Sequence, residues 1–100
     1  MNKNYNTDLA VIELAHKVML SLNNEEAYMA WIYTVPDCPT EDDFEYIAKD
    51  KELMNDACSA FDRIYKRYRK DGLYTDNQAI IDFCHMYDKK AGYEPIEVIK

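Results

Sequence analysis

The sequence has only two glycines, three prolines and three cysteines in 100 residues. Each shortage removes a class of function. Gly72 and Gly92 stand alone, so no glycine-rich loop exists to cradle a phosphate against backbone amides. Cys38, Cys58 and Cys84 are odd in number and distant from one another, which leaves no CxxC pair for zinc or redox chemistry. No apolar run approaches the roughly 18 residues of a membrane span, so no membrane partner is expected. The opening MNKNYNTDL lacks the apolar core of a signal peptide. These features point to the reducing cytoplasm. Positive charge is also in short supply. Twelve Lys and Arg against nineteen Asp and Glu give a net charge of -7 and a pI near 4.7. Phosphate contact needs a positive face, so direct nucleic-acid binding is disfavoured, whereas such a charge suits solubility or a basic partner.

What the sequence does contain is apolar and aromatic. Hydrophobic residues make up 48% and aromatics 13%, which is too much for a disordered chain. Nine of the aromatics are tyrosines, which combine an apolar body with a polar tip and suit half-buried positions and partner surfaces. One hundred residues fit a single domain with a modest core, which leaves a homodimer open.

The strongest periodicity lies in Leu53 to Tyr68. Met54, Ala57, Phe61, Ile64, Tyr65 and Tyr68 recur at three- and four-residue steps, the spacing of one helix face. Upstream, Thr40 with Asp43 resembles a capping box, and Phe44, Ile47 and Ala48 form an apolar face. If that helix ran straight into the next, Asp50 would fall within the apolar stripe, and an unpaired buried carboxylate is costly. A break between Ala48 and Lys51 is therefore expected, with Asp50 capping the long helix. Lys-Asp-Gly at 70–72 places Gly72 at its end, in the left-handed position that closes helices.

The remaining elements are shorter. Thr7 or Asp8 is a candidate cap for a first helix with the stripe Val11, Ile12, Ala15, Val18, Met19 and Leu22. Asn23 and Asn24 end it or start the next. Tyr28 to Val35 is rich in strand-favouring residues. Its spacing also fits a helix, and a lone strand would lack a partner, so a short helix is expected, ended by Pro36. Thr75-Asp76-Asn77-Gln78 reads as a capping box opening a last helix, with Ile80, Phe83, Cys84, Tyr87 and Ala91 inward and Gly92 closing it. The tail from Tyr93 carries Ile96, Val98 and Ile99, which suit an extended arm. The expected fold is all-α, a single-domain bundle of four to five short helices around one long central helix at about 51–70. Residues 1–7 and 93–100 form tails.

Glu13 with His16 and Asp82 with His85 have the acid-x-x-His spacing of di-iron bundles. On the helical wheel both pairs point away from their apolar stripes, so solvated surface pairs and no metal are expected. Adjacent Cys84 and His85 point about 100° apart on a helix and do not make a nucleophile–base pair. Cys38, between two prolines, has no histidine to activate it. No catalytic residue and no cofactor are expected, and the chain is read as a non-enzyme.

Charge is unevenly placed. Residues 37–56 hold Asp37, Glu41, Asp42, Asp43, Glu45, Asp50, Glu52 and Asp56 against Lys49 and Lys51. Residues 63–70 hold Arg63, Lys66, Arg67, Arg69 and Lys70 with no acid. Acids at helix starts and bases at helix ends complement the macrodipole, which accounts for much of this. Beyond it, the expected function is protein–protein binding, with Trp31, Tyr33, Asp42, Asp43, Glu45 and Tyr46 as the contact surface. The alternatives are imitation of nucleic-acid charge by the acidic segment, and nucleic-acid regulation through the basic patch 63–70. In size, acidity and helical content the chain is similar to small proteins of phages and mobile elements, some of which inhibit CRISPR or restriction enzymes. That likeness is one of composition and involves no shared motif.

Overall fold

The computed structural model describes residues 4–35 and 39–99. They form an all-α bundle of five helices: α1 (Asn4–Ser21), α2 (Glu25–Thr34), α3 (Glu41–Lys49), α4 (Lys51–Tyr68) and α5 (Gln78–Ala91). α1 packs against all four of the others, and α4 packs against α1, α2 and α3. α1 begins at Asn4, ahead of the expected cap at Thr7 or Asp8, and matches α4 at 18 residues.

Local chemistry explains the boundaries. Asn23 takes φ +50, a left-handed value that asparagine tolerates better than most residues. Asn24 then caps α2, its side chain accepting from the Ala27 amide at 2.9 Å. α2 runs through the segment with strand-like composition, because Ala27 and Trp31 face the core one helical turn apart. Thr40 and Asp43 form the full reciprocal box at the start of α3. Asp50 is extended and caps α4, accepting from the amides of Glu52 and Leu53 at 3.0 and 3.1 Å. The carboxylate that would have been buried in a continuous helix instead satisfies two otherwise unpaired donors.

The last helix starts differently from expectation. Its cap is Asn77, which accepts from Ala79, while Thr75 accepts from the Asn77 amide and Gln78 turns to Asp82. Asn77 lies one residue before the helix and reaches its second amide, a geometry Thr75 lacks. Gly92 closes α5 in the left-handed conformation, φ +78 and ψ 22. Gly72 also has positive φ, +88, but ψ 166. It therefore leaves the 3-10 turn Arg69–Asp71 in an extended mirror-image conformation rather than the expected left-handed helical one.

That exit direction creates an unforeseen element. Leu73–Tyr74 (β1) pairs in parallel with Val98–Ile99 (β2), in register Leu73 to Val98 and Tyr74 to Ile99. The Leu73 amide donates to Glu97 O at 2.7 Å. The C-terminal arm is thus laid across the bundle, with Ile96 buried beneath it.

Phe61 is the hub of the core. It stacks on Tyr65 at 5.2 Å and meets Trp31, Phe83 and Tyr87 edge-on at 6.3, 6.0 and 5.1 Å. Met54, Ala57, Ile64 and Tyr65 are buried beside it as the periodicity requires, and Ala60 joins them. Tyr68 is half-buried at the edge, and on α5 Ala91 is exposed while Ile81 and Asp88 are buried.

Candidate functional site

The acidic helix α3 presents two unlike faces. Phe44, Ile47 and Ala48 are buried. At 100° per residue, Asp42 and Tyr46 fall on the opposite side, Glu45 on its flank and Glu41 at the edge of the apolar stripe in the first turn, and all four are exposed. Tyr46 keeps 65% of its surface in solvent, a large aromatic area outside the core. The capping box holds this face in place at its N-terminus. Asp43, expected on the same surface, is instead part of the cap: it accepts from the Thr40 amide at 2.9 Å. Asp50 is committed to α4 in the same way. Two of the carboxylates needed for a continuous phosphate-like run are therefore bound to backbone amides. Glu52 and Asp56 remain exposed on α4. Asp37 and Cys38 lie outside the described residues.

Trp31 does not belong to the surface. It is fully buried, and its indole N–H donates to His16 Nδ1 at 3.0 Å. The reason is its place on α2, one turn after buried Ala27 and pointing at Phe61. His16 is half-buried against the rings of Tyr28 and Phe44 at 5.6 and 5.1 Å. Burial lowers its pKa from the usual value. It is a core acceptor and not the solvated partner of Glu13. Tyr33, two residues beyond Trp31, is 80% exposed. Asp82 accepts from the Gln78 side-chain Nε2 at 2.7 Å, and His85 is exposed. Among the described residues no His, Cys, Asp or Glu group of three or more is placed to hold a metal.

The basic end divides in two. Arg63, Lys66, Arg67 and Lys70 are exposed, and their spacing puts them along one side of α4 and the turn that follows. Arg69 turns inward. Its guanidinium lies 3.2 Å from Asp88 Oδ1, bonds the Glu94 carbonyl, and sits 5.5 and 5.2 Å from the rings of Tyr65 and Tyr93. It is removed from the expected basic patch because buried Asp88 requires a counter-charge.

Asp88 organises the largest feature that was not anticipated. It is fully buried, accepts from Tyr65 Oη at 2.6 Å and from the Ile96 amide at 2.9 Å, and pairs with Arg69. Beside it, Asp62 accepts from the hydroxyls of Tyr87 and Tyr93 at 2.5 and 3.1 Å. Burial, then hydrogen bonding to a carboxylate, raises the pKa of Tyr65 and Tyr87. Burial pushes the Cys84 thiol up to about 12. The knot is structural: it fastens the C-terminal arm to α4 and α5. Asp88 lies one turn past Cys84 on the apolar stripe of α5, so an acid on an inner face was the available signal.

One concavity of about 420 Å³ opens between α1, α4 and α5, lined mostly by apolar side chains including Val11, Ala15, Ala57, Phe83 and Met86. Among the described residues no helix is long and apolar enough to cross a membrane. No family model matches the chain, and no similarity to a characterised protein or to a solved structure is detected.

Proposed function

We propose that this chain is a non-catalytic, protein-binding module of the cytoplasm whose contact surface is the outer face of α3. The observation that carries this is the exposure of Tyr46 among Glu41, Asp42 and Glu45 on a doubly capped helix. Exposed tyrosine supplies contact area at low entropic cost, and the carboxylates select a basic partner and steer its approach. Tyr33 is a second exposed aromatic, carried by α2. A non-catalytic role is supported by how the reactive side chains are used. His16 is the acceptor for Trp31, and Cys84 is a buried thiol with a raised pKa. Protein binding is preferred to imitation of nucleic acid because Asp43 and Asp50 act as helix caps.

The experiment is affinity capture from lysate with the wild-type chain and with a Glu41→Gln, Asp42→Asn, Glu45→Gln variant. The reading expects one stoichiometric basic protein on the wild type and its depletion on the variant. Equal recovery on both, or no specific protein on either, removes this face as the contact surface.

A further inference from the structure

The hollow between α1, α4 and α5 follows from the sequence. Ala15, Ala57 and Ala91 occupy facing positions on three helices, where larger side chains would close the gap. At about 420 Å³ it falls within the range of small-molecule sites, roughly 300–1,000 Å³. Its lining is mostly apolar and includes Phe61 and Phe83, and Met86 is 53% exposed. Methionine adapts to irregular ligands.

The lining carries one charged side chain, with Asp8 outside it beside Cys58. Lys90 is the charged residue among those lining it. Lys90 is exposed and has no ion-pair or hydrogen-bond partner among the described residues. This is notable in a chain with nineteen carboxylates and a net charge of -7. The carbonyls at the end of α5 are served by Gly92 and Tyr93 amides, so the helix terminus does not need Lys90 as a cap. Tyr87, also in the lining, directs its hydroxyl to Asp62. Cys58 is exposed as a residue, and partial burial of its thiol, then Asp8, raises its pKa.

We propose that this hollow binds a small amphipathic anion. The ligand's apolar body fills the space between Ala15, Ala57 and Phe83, and its carboxylate pairs with Lys90. Burial of apolar area supplies affinity, and the single cation sets the orientation and the head-group charge. The site is independent of the outer face of α3.

Cys58 lines the hollow and is exposed, so its alkylation rate reports occupancy. In a Cys38→Ser background, where Cys84 is buried, N-ethylmaleimide labelling is followed by intact-mass spectrometry. Two probes of equal chain length are compared below their micellar concentrations, decanoate and decyltrimethylammonium. Decanoate is expected to slow labelling saturably, and the ammonium is not. Lys90→Gln should weaken the decanoate effect about fivefold, the loss of one partly exposed ion pair. Ala91→Trp, at an exposed position in the lining, should abolish it with the helical circular dichroism unchanged. Amide shifts of Ala15 and Ala57 on titration provide a readout independent of the thiol. Equal protection by both head groups, no saturable effect of decanoate in either readout, or an unchanged response in Lys90→Gln would overturn the proposal.

Discussion

Tyr65 donates a 2.6 Å hydrogen bond to Asp88 at a point where both residues are fully buried. The same carboxylate holds the Ile96 amide and the Arg69 guanidinium. One side chain on α5 therefore ties together α4, the 3-10 turn and the C-terminal arm. Asp88→Ala leaves a buried hydroxyl, an amide and a cation unpaired, and should cost about 3–5 kcal/mol. Tyr65→Phe removes one donor to a carboxylate that keeps two others, and should cost about 1–3 kcal/mol. Urea denaturation measures both. Equal losses would show that Asp88 is not the centre of the knot. Hydrogen exchange at the Leu73 amide should accelerate in Asp88→Ala, because its acceptor, Glu97 O, belongs to the released arm.

The two glycines should respond unequally to alanine. At Gly92 a Cβ meets nothing within 4 Å, so only left-handed strain applies, about 1 kcal/mol. At Gly72 the Cβ would stand 2.8 Å from Ile99 Cδ1 and 3.4 Å from Glu97 O, on a backbone at φ +88. Gly72→Ala should therefore cost more, toward the upper end of the roughly 1–3 kcal/mol range for strained conformers. Thermal melts of the two variants test the order, and a reversed order contradicts the ladder geometry.

Phe61→Ala should cost about 3–5 kcal/mol, since four aromatic neighbours lose their common contact. In a domain of this size that is enough to unfold a large fraction of molecules. An unchanged melting temperature would mean that a different face of α4 is inward.

Stability should fall on mild acidification through His16. Burial lowers its pKa in the folded state below the ordinary 6.5. The neutral ring is thus favoured by folding, and its contribution is complete above pH 6.5. It is lost as the pH drops from there through the folded-state value. Protonation also turns the acceptor of the Trp31 N–H into a donor. Trp31, the single tryptophan, reports the change by fluorescence-monitored denaturation at pH 7.5, 6.5 and 5.5. His16→Phe should flatten that dependence and be less stable at pH 7.5 by about 1–3 kcal/mol, because the indole donor is left unpaired.

The helices were legible because each boundary rests on a local conflict. Asp50 had to leave the apolar stripe, and Thr40 with Asp43 could satisfy each other. Residues 28–35 read as helix through the absence of a strand partner rather than through their own propensity. What the sequence left hidden was long-range. The pairing of Leu73 with Val98 joins residues 25 apart and two per strand, too short for a periodic signal. Trp31 was ambiguous because a lone tryptophan fits a core or a contact surface, and only the position of His16 and Phe61 decides. Arg69 and Asp43 carry charges that composition assigns to the surface, yet one answers a buried acid and the other caps a helix. The outer face of α3 was partly legible, since Asp42, Glu45 and Tyr46 fall where the stripe of Phe44, Ile47 and Ala48 leaves them.

The most direct measurement is the affinity of the captured partner at low and high salt, for wild type and for Glu41→Gln, Asp42→Asn, Glu45→Gln. Exposed charges contribute about 0.2–1 kcal/mol each, so the variant should bind on the order of tenfold more weakly at low salt. The two should converge at high salt, where screening removes the difference. Their melting temperatures should differ only slightly, because none of the three carboxylates caps a helix and Glu41 and Asp42, in the first turn of α3, each oppose its dipole by about 0.3–1 kcal/mol. Affinities that are equal at both salt concentrations, or a loss of binding that follows a loss of melting temperature, would contradict the outer face of α3 as the contact surface.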